Sequence, residues 1–188
     1  MPLQVGQIIA HRGASFDAPE NTVAALRLGY AQGADAGELD IHLSQDGRIV
    51  VIHDADTARV SGHKQPVAVQ TLAELRTRNA GQWGQWQGSG FAEKIPELAE
   101  ILALVPAGKR LFIETKVGVE ILPELGRVIR AFQVERLDLG EEPPAPRLCC
   151  LPLPKQARLR PCIGAKSCLA PMSRPISSPA RAPCGLTS

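Results

Sequence analysis

Every aromatic residue of this 188-residue chain lies at or before Phe132, and every acidic residue at or before Glu142. A packed core with balanced surface charge must therefore be built from residues 1–142. That part carries 14 Lys and Arg against 19 Asp and Glu, net −5, whereas residues 143–188 carry 7 against none, net +7. The overall charge of +2 describes neither part.

The second part also holds all five cysteines and 10 of the 16 prolines, a composition without the apolar periodicity that a core needs. It reads as a disordered tail, and a changed reading frame near codon 135 would account for the simultaneous jump in charge, Cys, Pro and aromatic content. Successive spacings of 1, 12, 6 and 16 between Cys149, Cys150, Cys162, Cys168 and Cys184 match no zinc pattern. An odd cysteine count without an export signal argues against a disulfide framework. The N-terminus has neither a basic nor an apolar targeting region, and no apolar run reaches membrane-spanning length, so the expectation is a cytoplasmic protein without stable membrane insertion. The tail's positive charge lacks aromatic platforms or an amphipathic stripe, so no nucleic-acid partner is expected.

Within the first part, strand and helix signals alternate. Gln7-Ile8-Ile9-Ala10 reads as a buried strand, and Pro19-Glu20-Asn21-Thr22 as the start of a helix from about Val23 to Gln32 that stops at Gly33. Glu38-Leu39-Asp40-Ile41-His42-Leu43 alternates with period two, Asp46-Gly47 is a turn signal, and Ile49–His53 is β-branched, together a hairpin. With a two-residue loop at Asp46-Gly47, Asp40 would face His53. Residues 55–94 form a polar, Gly-rich insertion in which Thr71-Leu72-Ala73-Glu74 matches a capping box. Trp83 and Trp86 would pack the insertion or border a substrate entrance. A helix opening at Ile95-Pro96-Glu97, a strand at Leu111–Lys116 and a helix from about Leu122 to Phe132 follow. This order predicts α/β architecture with parallel strands and right-handed crossovers, whose functional groups lie at the C-terminal strand ends.

His11-Arg12, Glu38 with Asp40, and Glu114 with Lys116 approach those ends on three successive strands. Three carboxylates, Glu38, Asp40 and Glu114, would repel one another unless a positive charge lay among them. Oxygen donors suit one divalent cation, Mg²⁺ or Ca²⁺. Alternatively the same acids pair with Arg12 and Lys116 in a structural salt-bridge network. His11 and His53 are suited to general acid–base work on a stable ester, or each is a satisfied structural histidine. Arg12 offers a planar fork and Lys116 a point charge to phosphate oxygens. His42 reads as a barrel-end or surface residue, and His63 has no evident partner.

Seven ordered blocks then carry a resemblance: Ala10-His11-Arg12-Gly13, Pro19-Glu20-Asn21-Thr22, Glu38 to Gly47, Val51-Ile52-His53-Asp54, Thr71 to Leu75, Ile95-Pro96-Glu97-Leu98 and Ile113-Glu114-Thr115-Lys116. They resemble the glycerophosphodiester phosphodiesterase family over roughly residues 7–135. The resemblance implies a TIM-type (β/α) barrel with a small insertion after the second strand, hydrolysing glycerophosphodiesters to glycerol 3-phosphate and an alcohol. It implies metal ligands at Glu38, Asp40 and Glu114, an acid–base pair at His11 and His53, and phosphate contacts at Arg12 and Lys116. It further implies attack by the glycerol hydroxyl beside the phosphate, with water opening the resulting cyclic phosphate. Glu20 is expected to support the site by orienting Arg12.

A complete barrel of this type takes about 250 residues. The sequence offers about three parallel strands plus the hairpin and insertion, an incomplete barrel over residues 1–138 followed by a tail over 139–188. An open sheet edge of this kind predicts self-association. Two other readings follow from the truncation: a catalytically silent fragment serving as a binding or assembly module, or a phosphodiesterase for another diester such as a lysophospholipid.

Overall fold

The computed structural model of the chain describes residues 6–138 and 147–151. Its strands and main helices run β1 (Ile9–Ala10), α1 (Val23–Ala31), β2 (Ala36–Leu43), β3 (Ile49–Val51), α2 (Ala58–Ser61), α3 (Leu72–Leu75), α4 (Leu98–Leu102), β4 (Arg110–Thr115), α5 (Leu122–Asp138) and β5 (Arg147–Leu151). Four strands form a parallel ladder in the order β1-β2-β4-β5, and β3 pairs antiparallel with β2.

Local signals explain the boundaries. Thr22 caps α1, its side chain accepting from the Ala25 N–H at 3.2 Å while its hydroxyl donates to the Pro19 carbonyl at 2.6 Å. Gly33, at φ +96°, lets the chain leave the helix. Thr71 and Glu74 complete the capping box of α3, and Glu97 with Glu100 form a second one at α4.

Alternation along the central strands divides the sheet into two chemical faces. Leu39, Ile41, Leu111 and Ile113 are fully buried in the main core with Leu26 of α1, Ile101 and Leu102 of α4, and Leu125 and Val128 of α5. Glu38, Asp40, His42, Phe112 and Glu114 stand at the intervening positions. Burial of the aliphatic face fixes which residues the other face must present, since a slip of one residue would put the carboxylates into the core. Gly37 is required where β2 passes α1: a Cβ there would lie 2.7 Å from Leu26 Cδ1 and 2.8 Å from the Tyr30 hydroxyl. That hydroxyl donates to the Arg110 carbonyl at 2.8 Å and accepts from the Gly37 N–H at 3.1 Å, tying α1 to both β2 and β4. Burial pushes the Tyr30 pKa up to about 12, so the phenol stays a donor.

The hairpin differs from the expected register. Ile41 pairs with Val51, His42 with Val50 and Leu43 with Ile49, and Ser44 N–H donates to the Arg48 carbonyl, so the loop has three residues, Gln45 to Gly47. Gly47 at φ +72° and the Ser44 hydroxyl, bonded to Asp46 and to the Arg48 backbone, fix this longer turn. Asp40 therefore lies opposite Ile52, whose N–H it receives at 3.0 Å, and not opposite His53. Val50 and Ile52 join Val60, Val67, Leu75, Ala80 and Ile95 in a second core that seats the insertion.

The number of parallel strands is also corrected. β5 is a fourth, pairing from Arg147 to Leu151 against Arg110 to Glu114, although it lies past residue 138 in the part set apart by composition. Its sequence is the apolar run Leu148-Cys149-Cys150-Leu151, short enough to escape a periodicity argument. Expectations for residues 152–188, including Cys162, Cys168 and Cys184, lie outside the described residues. No described helix is long and apolar enough to cross a membrane.

Candidate active site

β2 and β4 pair in the register that sets Asp40 directly beside Glu114. One oxygen each of Glu38, Asp40 and Glu114 falls within a span of 4.8 Å. Glu38 and Asp40 are almost completely buried, at 6% and 1% exposure. Burial raises the Glu38 pKa, the neighbouring charges of Asp40 and Glu114 raise it further, and the Arg12 N–H opposes them.

The loop after β1 brings cations and donors to this cluster. Arg12 adopts φ +55° and Asn21 φ +57°, the only non-glycine residues with left-handed backbone among the described residues. The two are joined by a hydrogen bond from the Asn21 N–H to the Arg12 carbonyl at 3.0 Å. In this conformation the Arg12 N–H donates to Glu38 Oε2 at 3.0 Å, and its Nη1 donates to Glu20 Oε1 at 3.1 Å. Arg12 Nε lies 3.2 Å from Asp40 Oδ2 as an ion pair, without hydrogen-bond alignment. The Asn21 amide donates to the same Oδ2 at 2.9 Å, while its carbonyl receives the Asp40 N–H at 3.2 Å. Glu20 thus meets Arg12 as expected, whereas Asn21 was not singled out from the sequence.

Lys116 Nζ completes the setting, 2.9 Å from Asp40 Oδ1 and 2.6 Å from Glu114 Oε1. Burial works against its charge, but the hydrogen bonds to Glu114 and Asp40 prevail and raise its pKa. His11 is 69% exposed, with Nε2 3.9 Å from Glu38 Oε2. The salt-bridge reading of the acids is therefore met in part: Asp40 and Glu114 are paired with Arg12 and Lys116. Glu38 is not: among the described residues no Lys or Arg side chain pairs with it, and its neighbour is the His11 ring at 3.9 Å.

His53 arrives where the chain leaves β3. Its Nδ1 lies 2.7 Å from Asp54 Oδ1, so beside an ionised Asp54 it donates from Nδ1 and leaves Nε2 free for proton transfer. His42, expected at a barrel end or surface, is instead buried at 6% exposure and donates from Nε2 to the His53 carbonyl at 3.1 Å. Burial lowers its pKa, which suits the neutral ring. Asp54 and Arg59 were also missed: Arg59 of α2 donates to Asp54 Oδ2 at 2.6 Å and with two nitrogens to Glu20, at 2.7 and 3.1 Å. The Arg59 hydrogen bond leads the causes that bring Asp54 down to about 2, with the His53 bond assisting against burial.

Trp86 is buried edge-on against Phe91 at 5.4 Å between ring centres, and Trp83 packs on the second core, so both tryptophans anchor the insertion. His63, far from the carboxylates in sequence, bonds to Gln65 Oε1 at 2.9 Å within the same insertion.

Three carboxylate oxygens in a small volume, one of them on a buried acid without a cationic side chain held tightly to it, form a donor set fitted to a hard divalent cation. Glu38, Asp40 and Glu114 are the residues that would hold it.

Comparison with known proteins identifies relatives of the chain. The family model of the glycerophosphoryl diester phosphodiesterase family matches residues 11–137. A glycerophosphodiester phosphodiesterase of Caldanaerobacter subterraneus is 40% identical over 132 residues, covering 67% of this chain and 52% of that protein. One from Bacillus altitudinis is 40% identical over 135 residues, covering 69% and 54%. Among solved structures, an Oleispira antarctica phosphodiesterase in complex with the product sn-glycerol-3-phosphate superimposes with a TM-score of 0.58 at 33% identity, over 78% of this chain and 57% of that one. The chain spans about half the length of the curated relatives it matches. Its four parallel strands correspondingly form part of a TIM-type barrel. On the match over residues 11–137, the chain belongs to the glycerophosphoryl diester phosphodiesterase family.

Proposed function

We propose that this chain hydrolyses glycerophosphodiesters to glycerol 3-phosphate and an alcohol, at a site using one divalent cation, Mg²⁺ or Ca²⁺. The observation that carries the reading is the convergence of Glu38 and Asp40 of β2 with Glu114 near the C-terminal end of β4, with Arg12 and Lys116 among them. The product complex of the Oleispira relative supports the substrate class.

When bound, the cation would supply Lewis-acid stabilisation of charge on a phosphoryl oxygen. The chain's own residues do the rest. Arg12 and Lys116 present positive charge to the diester, where negative charge accumulates on the non-bridging oxygens. His53, oriented through Nδ1 by Asp54, offers Nε2 to a proton, and the exposed His11 ring offers the second transfer group. One imidazole removes the proton of the attacking glycerol hydroxyl as its oxygen bonds to phosphorus, and the other delivers a proton to the alkoxide released when the P–O bond to the alcohol breaks. Water then adds to phosphorus and opens the cyclic phosphate to glycerol 3-phosphate. Asn21 bonds to both the carboxylate and the backbone N–H of Asp40, which fixes the orientation of that side chain.

The test is turnover of glycerophosphocholine by the purified full chain with Mg²⁺ or Ca²⁺, followed by release of glycerol 3-phosphate, with lysophosphatidylcholine alongside. Metal-dependent release is expected, falling about 10²- to 10⁴-fold in His11→Ala, and lost in Glu38→Gln. A folded chain without turnover of glycerophosphocholine at saturating metal refutes the proposal, and preference for the lysophospholipid reassigns the substrate.

A further inference from the structure

Arg59 has no place in the expected set of site residues, yet its guanidinium is engaged on every side. Nε donates to Asp54 Oδ2 at 2.6 Å, Nη2 to Glu20 Oε1 at 2.7 Å and Nη1 to Glu20 Oε2 at 3.1 Å. Its face lies over the Trp83 ring, with Cζ 4.9 Å from the centroid. Each of its two carboxylate partners reaches onward to a different part of the candidate site. Glu20 Oε1 also receives Arg12 Nη1, and Asp54 Oδ1 also receives His53 Nδ1.

We propose that Arg59 is a positioning residue that locks the phosphate-binding Arg12 and the acid–base His53 into one frame, through Glu20 and Asp54 respectively. The inference rests on the phosphodiesterase reading for what Arg12 and His53 do, but not for the geometry of the clamp.

Three features make this more than glue for the insertion. The fork uses three donors toward two acids in fixed directions, which a planar guanidinium can satisfy and a lysine ammonium on a flexible stem cannot. Its platform is itself anchored: Val60, the next residue, is buried in the second core, and Gly62 at φ +71° ends α2. Thr57, at the other end of α2, is fully buried and donates to the His63 carbonyl at 2.6 Å. Finally, the chain of contacts from Arg12 to Glu20, Arg59, Asp54 and His53 closes across the loop after β1, the insertion and the end of β3. Folding of the insertion therefore sets the spacing of the two catalytic elements, and an insertion that loosens would release both together. Removing an outer partner of this kind costs about 10- to 100-fold in activity in comparable sites.

The test uses the full chain with Arg59→Met, Arg59→Lys and Trp83→Leu. Two readouts are taken: ¹⁵N side-chain spectra of His53, which report the ring tautomer without metal or substrate, and kcat with KM for glycerophosphocholine. In the parent, His53 is expected as the Nδ1–H form. Arg59→Met should move it toward Nε2–H, raise KM and lower kcat, with kcat/KM down about 10- to 100-fold. Arg59→Lys should fall between parent and Met, and it carries the test if Arg59→Met does not fold. Trp83→Leu should lower stability while leaving the His53 tautomer as in the parent. A folded Arg59 variant with the parent's His53 spectrum overturns the inference. So does a Trp83→Leu chain with the same tautomer change, because Arg59 would then act by packing alone. If the parent shows no turnover, the phosphodiesterase reading fails while the spectra still decide the clamp.

Discussion

Replacing Asn21 by alanine removes two different things at once, and a second variant separates them. The first is the hydrogen-bond pair to Asp40: the amide donates to a carboxylate at 2.9 Å, and the amide carbonyl receives the Asp40 N–H at 3.2 Å. Asp40 is 1% exposed, so water cannot replace these partners cheaply. A bond to a charged acceptor contributes about 1.5–3 kcal/mol and the neutral one about 1 kcal/mol. The second is backbone: at φ +57° asparagine is tolerated, whereas alanine costs roughly another 1–2 kcal/mol. Asn21→Ala should therefore destabilise by about 3.5–6 kcal/mol. Asn21→Gly loses the same bonds without the backbone penalty and should be milder by about 1 kcal/mol. Urea unfolding of the metal-free chain, comparing midpoints at unchanged slope, measures both. Equal costs for the two variants would refute the backbone part of the reasoning, and costs below about 1 kcal/mol for both would refute the hydrogen-bond part.

Two further outcomes are expected. Gly37→Ala places a methyl 2.7–2.8 Å from Leu26 and the Tyr30 hydroxyl, and should cost about 1–3 kcal/mol in urea unfolding; no loss would mean that α1 can back away from β2. Asp54 has its pKa depressed from the ordinary carboxylate value to about 2, so its contribution to stability is present above about pH 4 and lost as the pH falls through 2. Unfolding midpoints from pH 5 to pH 2 should thus fall more steeply in the parent than in Asp54→Asn, and equal slopes would show that the Arg59 and His53 contacts do not stabilise the carboxylate.

Much of this was legible in sequence because it depends on local order. Glu38 and Asp40 share a strand face simply by being two apart, and Thr22, Thr71 and Gly33 mark helix ends through their own hydrogen bonds or φ angles. The hairpin register was not legible, because Asp46-Gly47 fits both a two-residue and a three-residue loop. The choice falls to the Ser44 hydroxyl, which bonds across the turn to the Arg48 backbone. That single-residue difference moves His53 off the strand face, so its orientation comes from Asp54 and not from pairing. Asn21, Asp54 and Arg59 escaped for a related reason: their partners Asp40, His53 and Glu20 lie across the fold or carry no spacing rule, and an Arg in a polar insertion looks like any solvated cation. β5 escaped because five residues cannot display a period, and only pairing with β4 reveals the strand.

The unusual backbone at Arg12 and Asn21 has a consequence for how the site meets its ligand. Most chains would hold an arginine beside an acid by letting a long side chain search many rotamers. Here the main chain itself is bent against its preference, so that an amide hydrogen and a guanidinium of one residue reach two separate acids, Glu38 and Asp40, with little left to vary. The cost of that rigidity is met once, when the polypeptide folds, and an arriving ligand encounters a template already cast.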